Sequence, residues 1–480
     1  MTLIIKRKIL NGVYLVNVPE ADLKLLCGCP ADAIKHLSAK GFLPIVEKDG
    51  IKFESGPNAI LLSDTLIQNN ALSNLSEFPV LHMFYNQGMI LPGHPNNGAT
   101  PILVGKKSFV QAQMKYIFIG NYGIVTKKEY LELGETESFT EEYLLMKQKF
   151  AMGRFIPSDE LMKGIFLGNK PLEIKNGVLI KRKQTNVFII SYKDKSVEIN
   201  LNLRKYQKYE PTYRLPKTDL PKHYFAVVHS GEGDGWDPSR PCLSSILLHD
   251  NRIFLVDAGP NILYTLKAFG LKPSQIDGVF FTHVHDDHFS GLYSLINTKT
   301  RVKVFATNTV KATIVQKLGT LLSVSEQELT HQFDFHELKR EEWNDYQGLE
   351  IHPIPSAHPI DTTLFVFRVK DKNGYKSYGH YTDIAAIDWL KKMASKTPGK
   401  LGLSREYIEK IKRFFSIKVD VKKIDVGGPT VHGDAEDFAE DKSGRIVLGH
   451  THAPFTNRQL EIGEKVNFGD VEILIADKPY

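Results

Sequence analysis

The sequence predicts an α+β protein of two domains, and three observations lead there. Its 480 residues exceed what one ordinary hydrophobic core serves. Residues 177–203 switch to the two-residue alternation of strands, as in Val178-Leu-Ile180, Val187-Phe-Ile-Ile190 and Val197-Glu-Ile-Asn-Leu201. From residue 223 onward, strand-like and helical runs take turns. The expected division is an N-terminal α+β domain over 1–203, a linker over 204–222 and a C-terminal domain over 223–480.

In chain order, residues 21–26 and 31–40 read as two helices split by Pro30, the second stopping near Gly41. Residues 51–63 and 80–85 are apolar enough to be buried elements. The stretch 91–100 is dense in turn formers, and its His94 reads as an exposed loop histidine. A helix is expected over 108–120 and a hairpin turn at Lys193-Asp194. This half shows no Gly-rich phosphate loop and no internal repeat, and is expected to regulate, dock or complete an active site. In the linker, Arg204, Lys205, Tyr206, Lys208, Tyr209, Tyr213 and Arg214 interleave basic and aromatic side chains. Such a strip suits a solvated connector packed by its tyrosines, or else a stack on single-stranded nucleic acid.

The C-terminal half opens with a loop over 229–245 and a hairpin turning at Asp250-Asn251. A helix over 261–269 stops at Gly270. The β-branched and aromatic run 276–282 reads as a buried strand, and 289–296 as the start of a helix. Helices over 389–393 and 404–415, joined by a turn at 397–399, form an insertion (385–415) made basic by Lys391, Lys392, Lys400, Arg405, Lys410, Lys412 and Arg413. These are solvated helix faces, or a lid that attracts phosphate.

Composition narrows the class. Three cysteines, Cys27, Cys29 and Cys242, build no disulfide framework and suggest a reducing compartment. No apolar run approaches the ~18 residues of a membrane span, and the N-terminal Met-Thr-Leu-Ile-Ile-Lys-Arg-Lys lacks the apolar core of a signal peptide. The expected location is the cytoplasm, with no membrane partner. A net charge of +6 suits a small anionic substrate without demanding a nucleic acid polymer. The oligomeric state is open, a dimer among the options.

Between strand and helix stands Phe281-Thr-His-Val-His-Asp-Asp-His-Phe289. His283 and His285 leave an extended segment on the same side, and Asp287 and His288 follow at the turn. Three imidazoles and a carboxylate in one small volume are what zinc and similar divalent ions accept. The stretch is a metal site.

This motif resembles that of the metallo-β-lactamase superfamily, and its flanks extend the match over residues 222–480. Residues 244–259 look like that family's opening hairpin, ending in Asp257, and His358, Asp383 and His450 follow strands in the family's order. The flavour is that of its ribonuclease Z and small phosphodiesterase branch. The resemblance implies an αββα sandwich, two sheets face to face with helices outside and the site along one edge. By the same resemblance His283, His285 and His358 hold one metal, Asp287, His288 and His450 a second, and Asp383 bridges both. Two divalent ions, zinc favoured and manganese or iron possible, would bring a shared water to a pKa of about 7. Asp257 would orient a ligand imidazole. His432 would protonate a leaving oxygen, acting with Asp287 in catalysis, unless it is a loop histidine without that task. His450 and His452 are two apart, so geometry does not separate them. The resemblance assigns His450 to the metal and His452 to the substrate or to groups behind the ligands. The implied activity is hydrolysis of a phosphodiester, a small or cyclic nucleotide, through metal-activated hydroxide. A lactone or thioester hydrolase, or a non-haem diiron redox or sensor protein, are the alternatives.

Overall fold

The computed structural model describes every residue except 1–2, 49–50, 88–99, 297–300, 396, 398, 429 and 480. His94 and Pro398, in the expected loop and turn, lie outside the described residues. The chain forms two compact units. The first comprises residues 1–120, 156–212 and 320–323, and the second 121–155, 213–319 and 324–480. Residues 121–155, expected in the N-terminal domain, therefore pack within the second unit.

In the first unit, Ile5–Leu10, Val13–Val18 and Leu23–Cys27 form an antiparallel meander. Ala59–Leu61, Ile102–Gly105 and Lys163–Phe166 add to it in parallel. The helix expected at 21–26 is thus a strand. Leu23, Leu25, Leu26 and Cys27 are all buried, so the run has apolar cover on both faces and shows no amphipathic period. The second expected helix is present as Ala33–Ala39. The alternating stretch gives Leu172–Lys175, Val178–Gln184, Val187–Tyr192 and Lys195–Asn200, an antiparallel sheet turning at Lys193-Asp194. Its Val178, Ile180, Phe188 and Ile190 share one core with Val16, Leu25, Leu61 and Val104 of the larger sheet.

The second unit holds two seven-stranded sheets. In one, Phe225–Gly231, Ser244–His249 and Arg252–Val256 run antiparallel, followed in parallel by Gly278–Phe280, Val302–Ala306 and Phe333–Glu337, with Val471–Ile475 on the outer edge. In the other, Asn344–Tyr346, Leu349–Pro355, Thr363–Asp371 and Gly374–Tyr381 run antiparallel, and Val421–Asp425, Arg445–Gly449 and Glu464–Lys465 continue in parallel. Val227, Phe254, Phe280 and Phe305 of the first meet Ile351, Phe367, Tyr378 and Val447 of the second in one core. The outer face of the second sheet is covered by Tyr143 and Met146, Leu390, and Tyr407, Ile408 and Ile411. This is the αββα sandwich. The basic helix Arg405–Phe415 is one of its outer layers, and Lys410 and Lys412 are paired with Glu341 and Glu409.

The two units share a strand plan that the sequence does not display. Each has an antiparallel three-strand meander, then three parallel strands, then four antiparallel strands in another sheet, which in the second unit continues through three more parallel strands. The backbone agrees in detail. Asp257 N donates to Phe280 O at 2.9 Å as Gly28 N donates to Leu61 O at 2.8 Å, and Phe281 N to Phe305 O at 3.0 Å as Leu62 N to Val104 O at 2.8 Å. An internal repeat is therefore present in topology, because a strand plan needs only buried apolar runs and turns, not particular residues.

Candidate metal centre

Every ligand expected from the sequence sits where a strand of the second unit ends. The strand Gly278–Phe280 delivers His283 and His285, and the short helix Asp286–Phe289 delivers Asp287 and His288. Leu349–Pro355 leads to His358, Gly374–Tyr381 to Asp383, and Arg445–Gly449 to His450. Asp257, Asp383 and His450 have φ of 63°, 52° and 61°. A left-handed backbone at three non-glycine strand ends costs on the order of 1–3 kcal/mol each and marks positions fixed by their surroundings.

His283, His285, His358 and Asp383 form one group with ligand atoms within 4.8 Å of one another. Asp287, His288 and His450 form a second, and Asp383, Asp425, His432 and His450 a third. Asp383 reaches all of them: its Oδ2 lies 3.5 Å from His283 Nε2 and 3.6 Å from His358 Nε2, and its Oδ1 3.1 Å from His288 Nε2 and 3.4 Å from His450 Nε2. A metal fits these donors. His283 Nε2 faces His285 Nδ1 at 3.0 Å and His288 Nε2 faces His450 Nε2 at 3.1 Å, pairs of lone-pair nitrogens that a cation between them reconciles. Asp287 Oδ1 is buried with no hydrogen-bond partner.

Electrostatics divides the imidazoles. Burial holds His283 below its ordinary pKa and His285 well below, and pushes His358 down to about 3, so all three are in the neutral, ligating form. Burial also opposes charge on His288 and His450. Asp287 and Asp383 outweigh it at His288, Asp383 and Asp425 at His450, and both rise well above the imidazole range. Protons and metal ions compete for those two rings.

The groups behind the ligands are equally definite. Asp257 Oδ2 accepts from His288 Nδ1 at 2.9 Å, which leaves Nε2 for the site. His358 Nδ1 donates to Val431 O at 3.0 Å with the same effect. Asp286 points away from the ligands and pairs with Lys317 at 3.2 Å. His452 is not among the grouped donors: its side chain is 57% exposed, and its Nδ1 rests on the buried Asp234 at 2.7 Å. Asp425, unnamed in the sequence reading, holds His432 Nδ1 at 3.1 Å and lies 3.4 Å from His450 Nδ1. Its signal was legible, a carboxylate closing the short buried strand Val421–Asp425.

With that geometry the comparisons have a place. Motif and αββα fold point the same way as the relatives that match part of the sequence. The second unit is a metallo-β-lactamase-superfamily domain. It stands near the ribonuclease Z and phosphodiesterase branch. The family model described as anti-Pycsar protein Apyc1 matches residues 230–390. A cGMP-dependent 3',5'-cGMP phosphodiesterase A of Dictyostelium discoideum is 26% identical over 141 residues, 29% of this chain and 16% of that protein. Ribonuclease Z of Pyrococcus abyssi is 24% identical over 173 residues, 34% of this chain and 55% of that one. The chain therefore spans between about a sixth and about half the length of these relatives. Human tRNase Z, short form, aligns to 52% of this chain and 99% of its own at 18% identity, with a TM-score of 0.37.

Proposed function

We propose that this protein is a dinuclear metal-dependent phosphodiesterase acting on a small or cyclic nucleotide. The observation that carries the reading is Asp383, one buried carboxylate in reach of two separate histidine sets. When bound, two divalent ions, zinc foremost, would lower the pKa of a shared water toward about 7 and neutralise charge on the attacked phosphoryl group.

The chain's own residues do the rest. Asp257 and the Val431 carbonyl fix which nitrogen His288 and His358 present. Burial opposes charge on His432, but Asp425 outweighs it and raises its pKa, which favours the protonated ring. Held by Nδ1, it directs Nε2 away from Asp425 and can donate to a leaving oxygen. His452, steadied by Asp234 at the exposed rim, is placed to meet the substrate's polar groups.

Support for a small substrate comes from the stretch between His358 and Asp383. It is only the hairpin Thr363–Asp371 and Gly374–Tyr381, with no arm to grip a folded RNA. Two relatives are named as cyclic-nucleotide phosphodiesterases. The test is a panel of cyclic nucleotides, dinucleotides, lactones and thioesters offered to the zinc-loaded and manganese-loaded protein. Hydrolysis of a cyclic nucleotide or dinucleotide, abolished by chelation, is expected. Turnover of lactones or thioesters alone would overturn the substrate assignment, and visible absorbance of the purified protein would point to iron instead.

A further inference from the structure

The loop that carries His358, Ser356 to Thr362, is not held by the sandwich alone. Residues 121–155 belong to the second unit although the chain on both sides of them belongs to the first, and they grip this loop with four groups. Tyr143 OH donates to Ser356 O at 3.1 Å and accepts from Thr362 N at 3.2 Å. Lys147 Nζ meets Asp361 Oδ2 at 2.8 Å, with both side chains 0% exposed. Ile124 N donates to the same oxygen at 3.1 Å, while its carbonyl accepts from Lys147 Nζ at 2.5 Å. Tyr130 OH donates to Asp361 Oδ1. The loop is in turn tied to the bridging carboxylate, because Ser356 Oγ donates to Asp383 O at 2.8 Å and Ala385 N to Ala357 O at 3.2 Å.

Burying a lysine–aspartate pair costs desolvation, and replacing it by apolar side chains is often neutral or stabilising. Such a pair serves geometry better than stability. Here it fixes a loop whose histidine must be placed within about 0.5 Å to ligate.

We propose that Tyr143 and Lys147 are positioning residues for His358, making the inserted helices of the N-terminal half an integral part of the metal centre. This rests on the metal-site reading above but not on the substrate. The test is metal stoichiometry and affinity, by chelator competition on the full chain loaded with Co²⁺ or Zn²⁺, with Co²⁺ absorption as a second readout. Two ions on the wild-type chain establish the centre, and their absence would defeat the site reading itself.

Tyr143→Phe removes one hydroxyl and leaves the packing. It should weaken the ion held by His358 about 10–100-fold, alter its Co²⁺ spectrum and weaken the other ion far less. Lys147→Met should do the same more severely. Wild-type affinity for both ions in Tyr143→Phe would overturn the proposal. So would a parallel weakening of both ions that follows a lowered unfolding temperature, which is what a merely structural role gives. If Lys147→Met does not fold, Tyr143→Phe decides alone.

Discussion

Replacing Asp257 by Asn tests the centre through a single proton. The carboxylate accepts three buried hydrogen bonds, from Thr282 N at 2.9 Å, Thr282 Oγ1 at 2.7 Å and His288 Nδ1 at 2.9 Å. Asn has the same shape and tolerates the left-handed backbone at φ 63°, so the loop need not move. Its oxygen can keep Thr282 N, but its NH₂ then faces His288 Nδ1 and Thr282 Oγ1 as a donor. The ring is driven to carry its proton on Nε2, the nitrogen that faces Asp287, Asp383 and His450. A protonated Nε2 is no ligand. Returning that proton leaves two buried donors opposed, worth about 1–3 kcal/mol, or roughly 5–150-fold in affinity. Chelator competition should show the ion held by His288 and His450 weakened by about 10–100-fold. The ion held by His283, His285 and His358 should stay within about threefold of wild type. Undiminished affinity for both ions in Asp257→Asn would refute the tautomer argument.

Three further expectations use other groups. Asp383→Ala should bind at most one ion by elemental analysis and lose at least about 10²–10³-fold in kcat; two ions with full activity would remove Asp383 from the bridge. His450→Ala should lose the ion shared with Asp287 and His288, whereas His452→Ala should keep both and raise KM about tenfold, the loss of one charged hydrogen bond; the reverse pattern would exchange their roles. His249 is 1% exposed with neither ring nitrogen hydrogen-bonded, and burial, then Arg252, push its pKa from 6.5 down to about 4. The unfolded ring takes up a proton first, so this group's effect is absent above about pH 7 and destabilises the fold as pH falls from 6.5 through 4. Denaturant unfolding of His249→Phe against wild type should recover about 2–3 kcal/mol between pH 7.5 and pH 4.5, and a gap independent of pH would contradict it.

The sequence displayed those parts of the site that local spacing controls. His283, His285, Asp287 and His288 lie within six residues, so one strand end and one turn settle where they point. His358, Asp383 and His450 were found only by their order after apolar strands. Asp425 meets the same rule, but its strand Val421–Asp425 carries Lys422 and Lys423, so it does not read as a buried apolar run although both lysines are buried. The strand Leu23–Cys27 differs from the helix expected there because a short apolar run carries no period that tells helix from strand. The grip of Lys147 on Asp361 had no local signal at all. The two are 214 residues apart, and contiguity in the chain placed Lys147 in the wrong unit.

The repeated strand plan separates what the fold provides from what the residues provide. Aligned by their backbone hydrogen bonds, Gly28 of the first unit stands where the second has Asp257, and Ser63-Asp64 where it has Thr282-His283. The same strand end is present, left-handed backbone included, with φ 81° at Gly28 and 63° at Asp257. Yet no cluster of metal donors lies in the first unit among the described residues. Its buried carboxylate is instead met by a permanent cation, Asp64 Oδ1 lying 2.9 Å from Arg182. Asn186 completes the arrangement, donating through its N–H to Asp64 Oδ2 at 3.0 Å and accepting at its side-chain oxygen from Asp64 N at 2.6 Å. A guanidinium cannot be deprotonated into a ligand, and its charge satisfies the carboxylate that a divalent ion would otherwise claim. The strand ends alone therefore do not make a metal centre. The second unit has the donors for one because four buried carboxylates, Asp257, Asp287, Asp383 and Asp425, face imidazoles that can give up their protons, and among the described residues no arginine pairs with them.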